Sequence, residues 1–167
     1  MTLAHGGAVT GAQGLHAALL ALAVPVFVVW RLLDRRPPGE RSLTSVAAGA
    51  SLAAGMVHLV VVPEHWQESP LYGMFFVATV LGQVGAAVLL ARRPAIWLCV
   101  LTVGGQVAIT QLWAVTRTAG IPLGPEAGMV EPIGFLDSIC VCAQLVSTAA
   151  CFVLLWKAGN VTRSRYA

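Results

Sequence analysis

The sequence predicts an all-α integral membrane bundle of about five transmembrane helices, with the N-terminus outside the cytoplasm and the C-terminus inside. The first observation behind this is compositional. Of 167 residues, 57% are hydrophobic and 10% charged, with a mean hydropathy of +0.80, whereas soluble domains carry about 25% charged residues. Surface-to-volume scaling would leave much of that apolar area in water, and a bilayer removes the difficulty. The second is that the apolar residues gather into five runs, each near the roughly 20 residues a spanning helix needs. The third is a strict alternation of charge between the loops.

The chain reads as one domain over residues 1–167, with spans at about 15–33, 43–62, 70–91, 95–116 and 133–156. The first run carries Pro25, which removes a backbone bond and predicts a kink, and is followed by Pro37-Pro38-Gly39. Its N-terminal flank has no Lys or Arg, while Arg31, Arg35, Arg36 and Arg41 lie at or beyond its end. That order is the reverse of a cleavable signal peptide. Pro63 is expected to close the second run, turning Glu64 and His65 back over the outer mouth. Pro70 opens the third, Arg92-Arg93-Pro94 divides it from the fourth, and Pro122, Pro125 and Pro132 punctuate the loop before the fifth.

Nine of the ten basic residues fall on one side: Arg31 to Arg41, Arg92-Arg93, and the tail with Lys157, Arg163 and Arg165. The other side holds Arg117 with Glu64, Glu68, Glu126, Glu131 and Asp137. Basic loops stay in the cytoplasm, which sets the orientation in a plasma membrane. The formal net charge of +3 is therefore an orientation signal and does not indicate nucleic-acid binding. Cys99, Cys140, Cys142 and Cys151 lie in apolar runs without C-x-x-C spacing, as small apolar helix residues do. Ala47-Ala48-Gly49-Ala50-Ser51, Gly55, Gly73, Gly82, Gly85 and Gly104-Gly105 supply the small residues at which membrane helices approach closely. Trp66 and Trp113 are placed as outer interfacial anchors, and Trp30, Trp97 and Trp156 as inner ones.

The candidate chemistry is concentrated towards the outer face. His5, His16, His58 and His65 all map there, with five of the seven acids. An ionisable Asp at a helix centre costs about 2.5–3.5 kcal/mol on insertion scales, so such groups face the bundle interior and have a partner. Asp137 and His58 are expected to form such a pair. Asp137, Cys140, Gln144 and Cys151 fall on one helical face of the fifth run, and Ser51, Gly55 and His58 on one face of the second. Gln83, Gln111 and Gln144 are expected in the polar interior. His16, His58, His65 and Asp137, with Glu64, Glu131 or Cys140, are candidate metal ligands: imidazole and carboxylate suit zinc or copper(II), and a thiolate favours copper(I). The same histidines could instead be interhelical glue. Arg117 is expected to pair with Glu126, Glu131 or Glu64, or to hold an anion.

Two stretches carry a resemblance. One is His58 through Pro63-Glu64-His65-Trp66 to Gly73, Phe75-Phe76 and Gln83. The other is Leu112-Trp113-Ala114 through Arg117-Thr118, Gly120, Pro122 and Gly124-Pro125 to Glu131 and Asp137. Over roughly residues 50–140 the chain resembles a group of small polytopic membrane proteins of high-GC bacteria. The resemblance implies a multi-pass bacterial plasma-membrane protein and no particular activity.

The favoured expectation is a membrane protein with a polar, metal-binding site near the outer face, holding copper or zinc. The alternatives are an accessory or structural subunit of a larger membrane complex without metal, with partner membrane subunits or as a homo-oligomer; a zinc-dependent intramembrane hydrolase with Glu64, Glu131 or Asp137 as base; and haem between His16 and His58. No inverted repeat or broken helix pair suggests a transporter. The charge alternation makes a direct prediction. A fluorescent protein fused to the C-terminus should be bright and alkaline phosphatase fused there inactive; the opposite result would invert the assigned topology.

Overall fold

The computed structural model describes residues 38–164. Among them are four helices and no strand: α1 (Pro38–Glu68), α2 (Pro70–Arg92), α3 (Ile96–Thr118) and α4 (Phe135–Ser164). All four are long and apolar enough to cross a membrane. The chain is therefore all-α with at least four candidate spans, consistent with a multi-pass membrane protein. The first expected span, 15–33, lies outside the described residues, as does His16.

Local chemistry sets the start of α2 and the end of α3. Ser69 caps α2, its Oγ accepting from the Leu71 N–H at 3.3 Å, with Pro70 inside the first turn. α3 ends at Thr118. The N–H groups of Ala119 and Gly120 both bond back to the Val115 carbonyl, and Gly120 takes a positive φ of 71°, the left-handed conformation with which helices commonly end.

Pro63 does not close α1. The helix runs through it to Glu68, so Glu64 and His65 extend the helix rather than fold back. A proline this close to a helix end disturbs only one turn. The His65 Nδ1 hydrogen-bonds the Val61 carbonyl at 3.0 Å, and the Ser69 N–H bonds the His65 carbonyl at 3.0 Å. α1 and α2 thus form a tight antiparallel pair joined at Ser69.

α1 is the hub. It packs along α2 and α4, α4 packs on α3, and α2 and α3 meet only marginally. Accordingly 56% of the α1 span is buried, against 22%, 22% and 28% of α2, α3 and α4. The exposed surfaces of those three carry Leu81, Leu89, Leu101, Phe152 and Trp156, as expected where the solvent is hydrocarbon. Ala47, Ala48, Leu90 and Cys151 are fully buried in the core, joined by Ala87, Leu98, Cys99 and Ala150.

The expectation that the small residues all serve helix packing holds only in part. A Cβ on Gly55 would stand 3.1 Å from Val84 Cγ2 and 3.3 Å from Gln83 Cβ, and one on Gly73 would overlap the Trp66 ring. Gly82, Gly85, Gly104 and Gly105 meet no atom of the described residues within 4 Å of such a Cβ. Those four lie on α2 and α3, whose facing surfaces are splayed. The contrast is testable by thermal unfolding in detergent. Gly55→Val should destabilise by about 1–3 kcal/mol through overpacking, whereas Gly82→Ala should be neutral or gain up to about 1 kcal/mol from helix propensity.

Candidate functional site

The helix faces expected from the sequence are the faces observed. Ser51 and His58 are buried on the inward side of α1, and Cys140, Gln144 and Cys151 are buried on α4 together with Ser147. What fills the interior between them is polar.

The His58 Nδ1 donates to Gln83 Oε1 at 2.8 Å, a direction fixed by the acceptor oxygen. Gln83 Nε2 donates to Gln106 Oε1 at 2.9 Å, and Gln106 Nε2 to Ser51 Oγ at 3.3 Å. The Ser51 hydroxyl in turn donates to the backbone carbonyl of Gln83 at 2.9 Å. Four buried side chains from α1, α2 and α3 thus form one connected chain. Its members can be left unpaired only at a cost of about 1–3 kcal/mol each, since no water replaces the lost bond. Cys140 Sγ lies beside the imidazole, 3.6 Å from His58 Nε2 and 3.8 Å from Nδ1, and 3.8 Å from the Ala54 carbonyl. Phe76 stacks beside both histidines, with ring centroids 5.6 Å from His58 and 4.0 Å from His65. A second polar link joins α3 and α4, where Thr110 Oγ1 donates to Gln144 Oε1 at 2.9 Å.

His58 and Asp137 do not pair. Asp137 accepts from Arg117 Nη2 at 2.7 Å and from the Gly134 N–H at 3.0 Å. A guanidinium is always charged and offers several donors, so it outcompetes a neutral imidazole for a carboxylate. Arg117 also pairs with Glu131 at 2.5 Å, as one of its expected partners. Its side chain is only 11% exposed, and the Nε group and the Trp113 indole N–H one turn earlier have no acceptor among the described residues. The triad pins the 119–134 loop to the ends of α3 and α4. Tyr72 ties the same loop to α2 through its hydroxyl, which donates to the Leu123 carbonyl at 2.6 Å.

The remaining candidates scatter. Glu64 is exposed, and His65 is half-buried with its Nδ1 engaged by its own helix. Gln111, expected in the interior, is on the exposed face of α3, because the inward register of that helix runs through Cys99, Thr102 and Gln106. Among the described residues no three His, Cys, Asp or Glu side chains gather as a metal would require; His58 with Cys140 is the nearest approach to such a group. Sequence reasoning missed Gln106. Its signal was there: Thr102, Gln106, Thr110, Trp113 and Arg117 recur at helical spacing along one side of α3. Compared with known proteins, the chain matches no family model, no curated protein and no solved structure.

The two clusters should respond differently to mutation. Gln83→Leu strands the His58 N–H and the Gln106 carbonyl oxygen and should cost about 1–3 kcal/mol in thermal unfolding. Arg117→Leu leaves two carboxylates without their cation and should cost a similar amount, about 1–3 kcal/mol, with limited proteolysis concentrating in the 119–134 loop. A loop as resistant as in the wild type would show that the ion triad does not hold it.

Proposed function

We propose that the protein is a multi-pass plasma-membrane binding protein whose site is the polar chain His58–Gln83–Gln106–Ser51, reached from the outer half of the bundle. The observation that carries this is the chain itself. Three helices each contribute amide, imidazole or hydroxyl groups to one buried line, in a place where apolar side chains would pack with no desolvation cost. A membrane bundle can be glued by isolated pairs such as Thr110 with Gln144, and interhelical bonds of that kind average about 0.6 kcal/mol. A continuous chain with two primary amides provides donors and acceptors that can be shared with a ligand. The resemblance to polytopic membrane proteins of high-GC bacteria agrees with the location and adds no chemistry.

A second reading, copper(I) or zinc bound near the outer face, is favoured by one separation. Tetrahedral coordination with metal–sulfur and metal–nitrogen bonds of about 2.3 and 2.0–2.1 Å places the two donors about 3.6 Å apart. Cys140 Sγ and His58 Nε2 stand 3.6 Å apart, but the sulfur is also 3.8 Å from Nδ1 and so lies beside the ring, off the Nε2 lone pair. Both can ligate one ion only after the Cys140 side chain rotates, while the His58 Nδ1–H bond to Gln83 is the orienting contact that metal-bound histidines make. In this reading the donors are Cys140 and His58, with His16 as the third. Asp137 and Glu131 are committed to Arg117.

Both readings are tested on detergent-purified full-length protein by elemental analysis, an absorbance spectrum and mass spectrometry of an organic extract. A bound species should accompany the wild type and be lost in Gln106→Leu and His58→Ala. Stoichiometric copper or zinc that Cys140→Ala and His16→Ala also remove selects the metal reading, and an organic species selects the first. If nothing is bound and the variants only unfold at lower temperature, the chain is glue and the protein is an accessory subunit.

A further inference from the structure

The splayed surfaces of α2 and α3 enclose a cleft of about 570 Å³, within the roughly 300–1,000 Å³ of small-molecule sites. It runs along α2 from Phe75 to Leu89 and along α3 from Trp97 to Ile109. Its walls are apolar, and Gly82, Gly85 and Gly105 keep it open, since each has empty space where a side chain would stand. Its floor is polar: Ser51, Thr79, Gln83, Thr102 and Gln106 all line it and all are buried.

The floor has unused capacity. A primary amide carries two N–H groups. Gln83 Nε2 has one acceptor, Gln106 Oε1, and Gln106 Nε2 has one, Ser51 Oγ. One N–H on each amide is left without an acceptor among the described residues. In the middle of a bilayer such groups are costly to leave unmet.

We propose that this cleft takes, sideways from the bilayer, a neutral amphiphile with a carbonyl head and a hydrocarbon tail, the class of ketones, quinones and esters. The head accepts from the spare N–H groups of Gln83 and Gln106, and the tail lies between the glycine-lined walls. Among the described residues the lining contains no charged side chain, which argues against a charged head, because an ion would enter hydrocarbon without a counter-charge. A plain hydrocarbon would leave the amides unmet. A partner helix would cover the mouth, but an ordinary apolar face could not reach the floor. The inference rests on the reading that the polar chain is a binding element, and it names the ligand class and the route of entry.

The test is photolabelling of the full-length chain in phosphatidylcholine nanodiscs with a decyl-substituted benzophenone, a neutral ketone. Adducts should concentrate on the Phe75–Leu89 and Trp97–Ile109 peptides and be competed by an excess of unlabelled decyl phenyl ketone. Gly82→Leu and Gly105→Leu each place a side chain in the open cleft, with no described atom within 4 Å of its Cβ, so both should fold and both should abolish the competed labelling. Gln106→Leu should weaken it about tenfold, roughly the factor that one hydrogen bond is worth. Labelling that ignores the glycine variants and spreads over the lipid-facing side of α4 overturns the cleft. In that case a metal or other species retained through His58 and Gln106 would still uphold the binding reading. Labelling confined to the cleft but indifferent to Gln106→Leu overturns the amide head site, and cleft labelling that is lost when each nanodisc holds two chains instead of one overturns the amphiphile in favour of a second copy.

Discussion

Gln83 ties three helices together. Its amide oxygen accepts from His58 on α1, its amide nitrogen donates to Gln106 on α3, and its backbone carbonyl accepts from Ser51 on α1. It does so where no water competes, so each bond is made within the protein or goes unmet. That constraint fixes the rotation of three helices at once. Turning α2 by one residue about its axis would carry the amide out of the interior and expose its partners to hydrocarbon. Close approach makes the geometry possible: Gly55 stands against Gln83 and Val84 with no room for a side chain, which brings α1 near enough for Ser51 and His58 to reach α2.

The same economy explains the asymmetry of the bundle. α1 is enclosed by α2 and α4, and its small buried residues Ala47, Ala48, Ser51 and Ala54 let both neighbours come close. α3 is held mainly by α4 and meets α2 only marginally, with the Gln83–Gln106 hydrogen bond reaching between them. With the centre clamped by side chains and glycines facing each other on either side, α2 and α3 stay apart and a cleft remains. A polar contact here acts as a spacer as well as a clamp.

At the loop-bearing end a different interaction dominates. Arg117 gathers Glu131 and Asp137, joining α3, the 119–134 loop and α4 through charge rather than shape. With α4 set by this triad and by the Ser147 hydroxyl, which donates to the Ala47 carbonyl at 2.9 Å, Cys140 comes to rest beside His58. Two candidate ligands from distant parts of the chain therefore meet, while Asp137, only three residues from Cys140, is drawn away towards the mouth.

The amino-acid sequence by itself determined that this is an all-α chain suited to a membrane, where its apolar helices lie, and which faces of α1 and α4 point inward. Those properties depend on composition and on spacing at 3.6 residues per turn, both local and both enforced by hydrocarbon that tolerates no unpaired backbone. Only the tertiary structure decided who pairs with whom. Asp137 could have bonded His58 or Arg117, Gln106 was hidden among glycines, and Gln111 faces outward although its composition favours the interior. The three glycines of the cleft, Gly82, Gly85 and Gly105, look in sequence the same as the packing glycines Gly55 and Gly73. Partner choice is a competition between residues far apart in the chain, settled by which donor is charged, which side chain reaches, and where two helices are held apart.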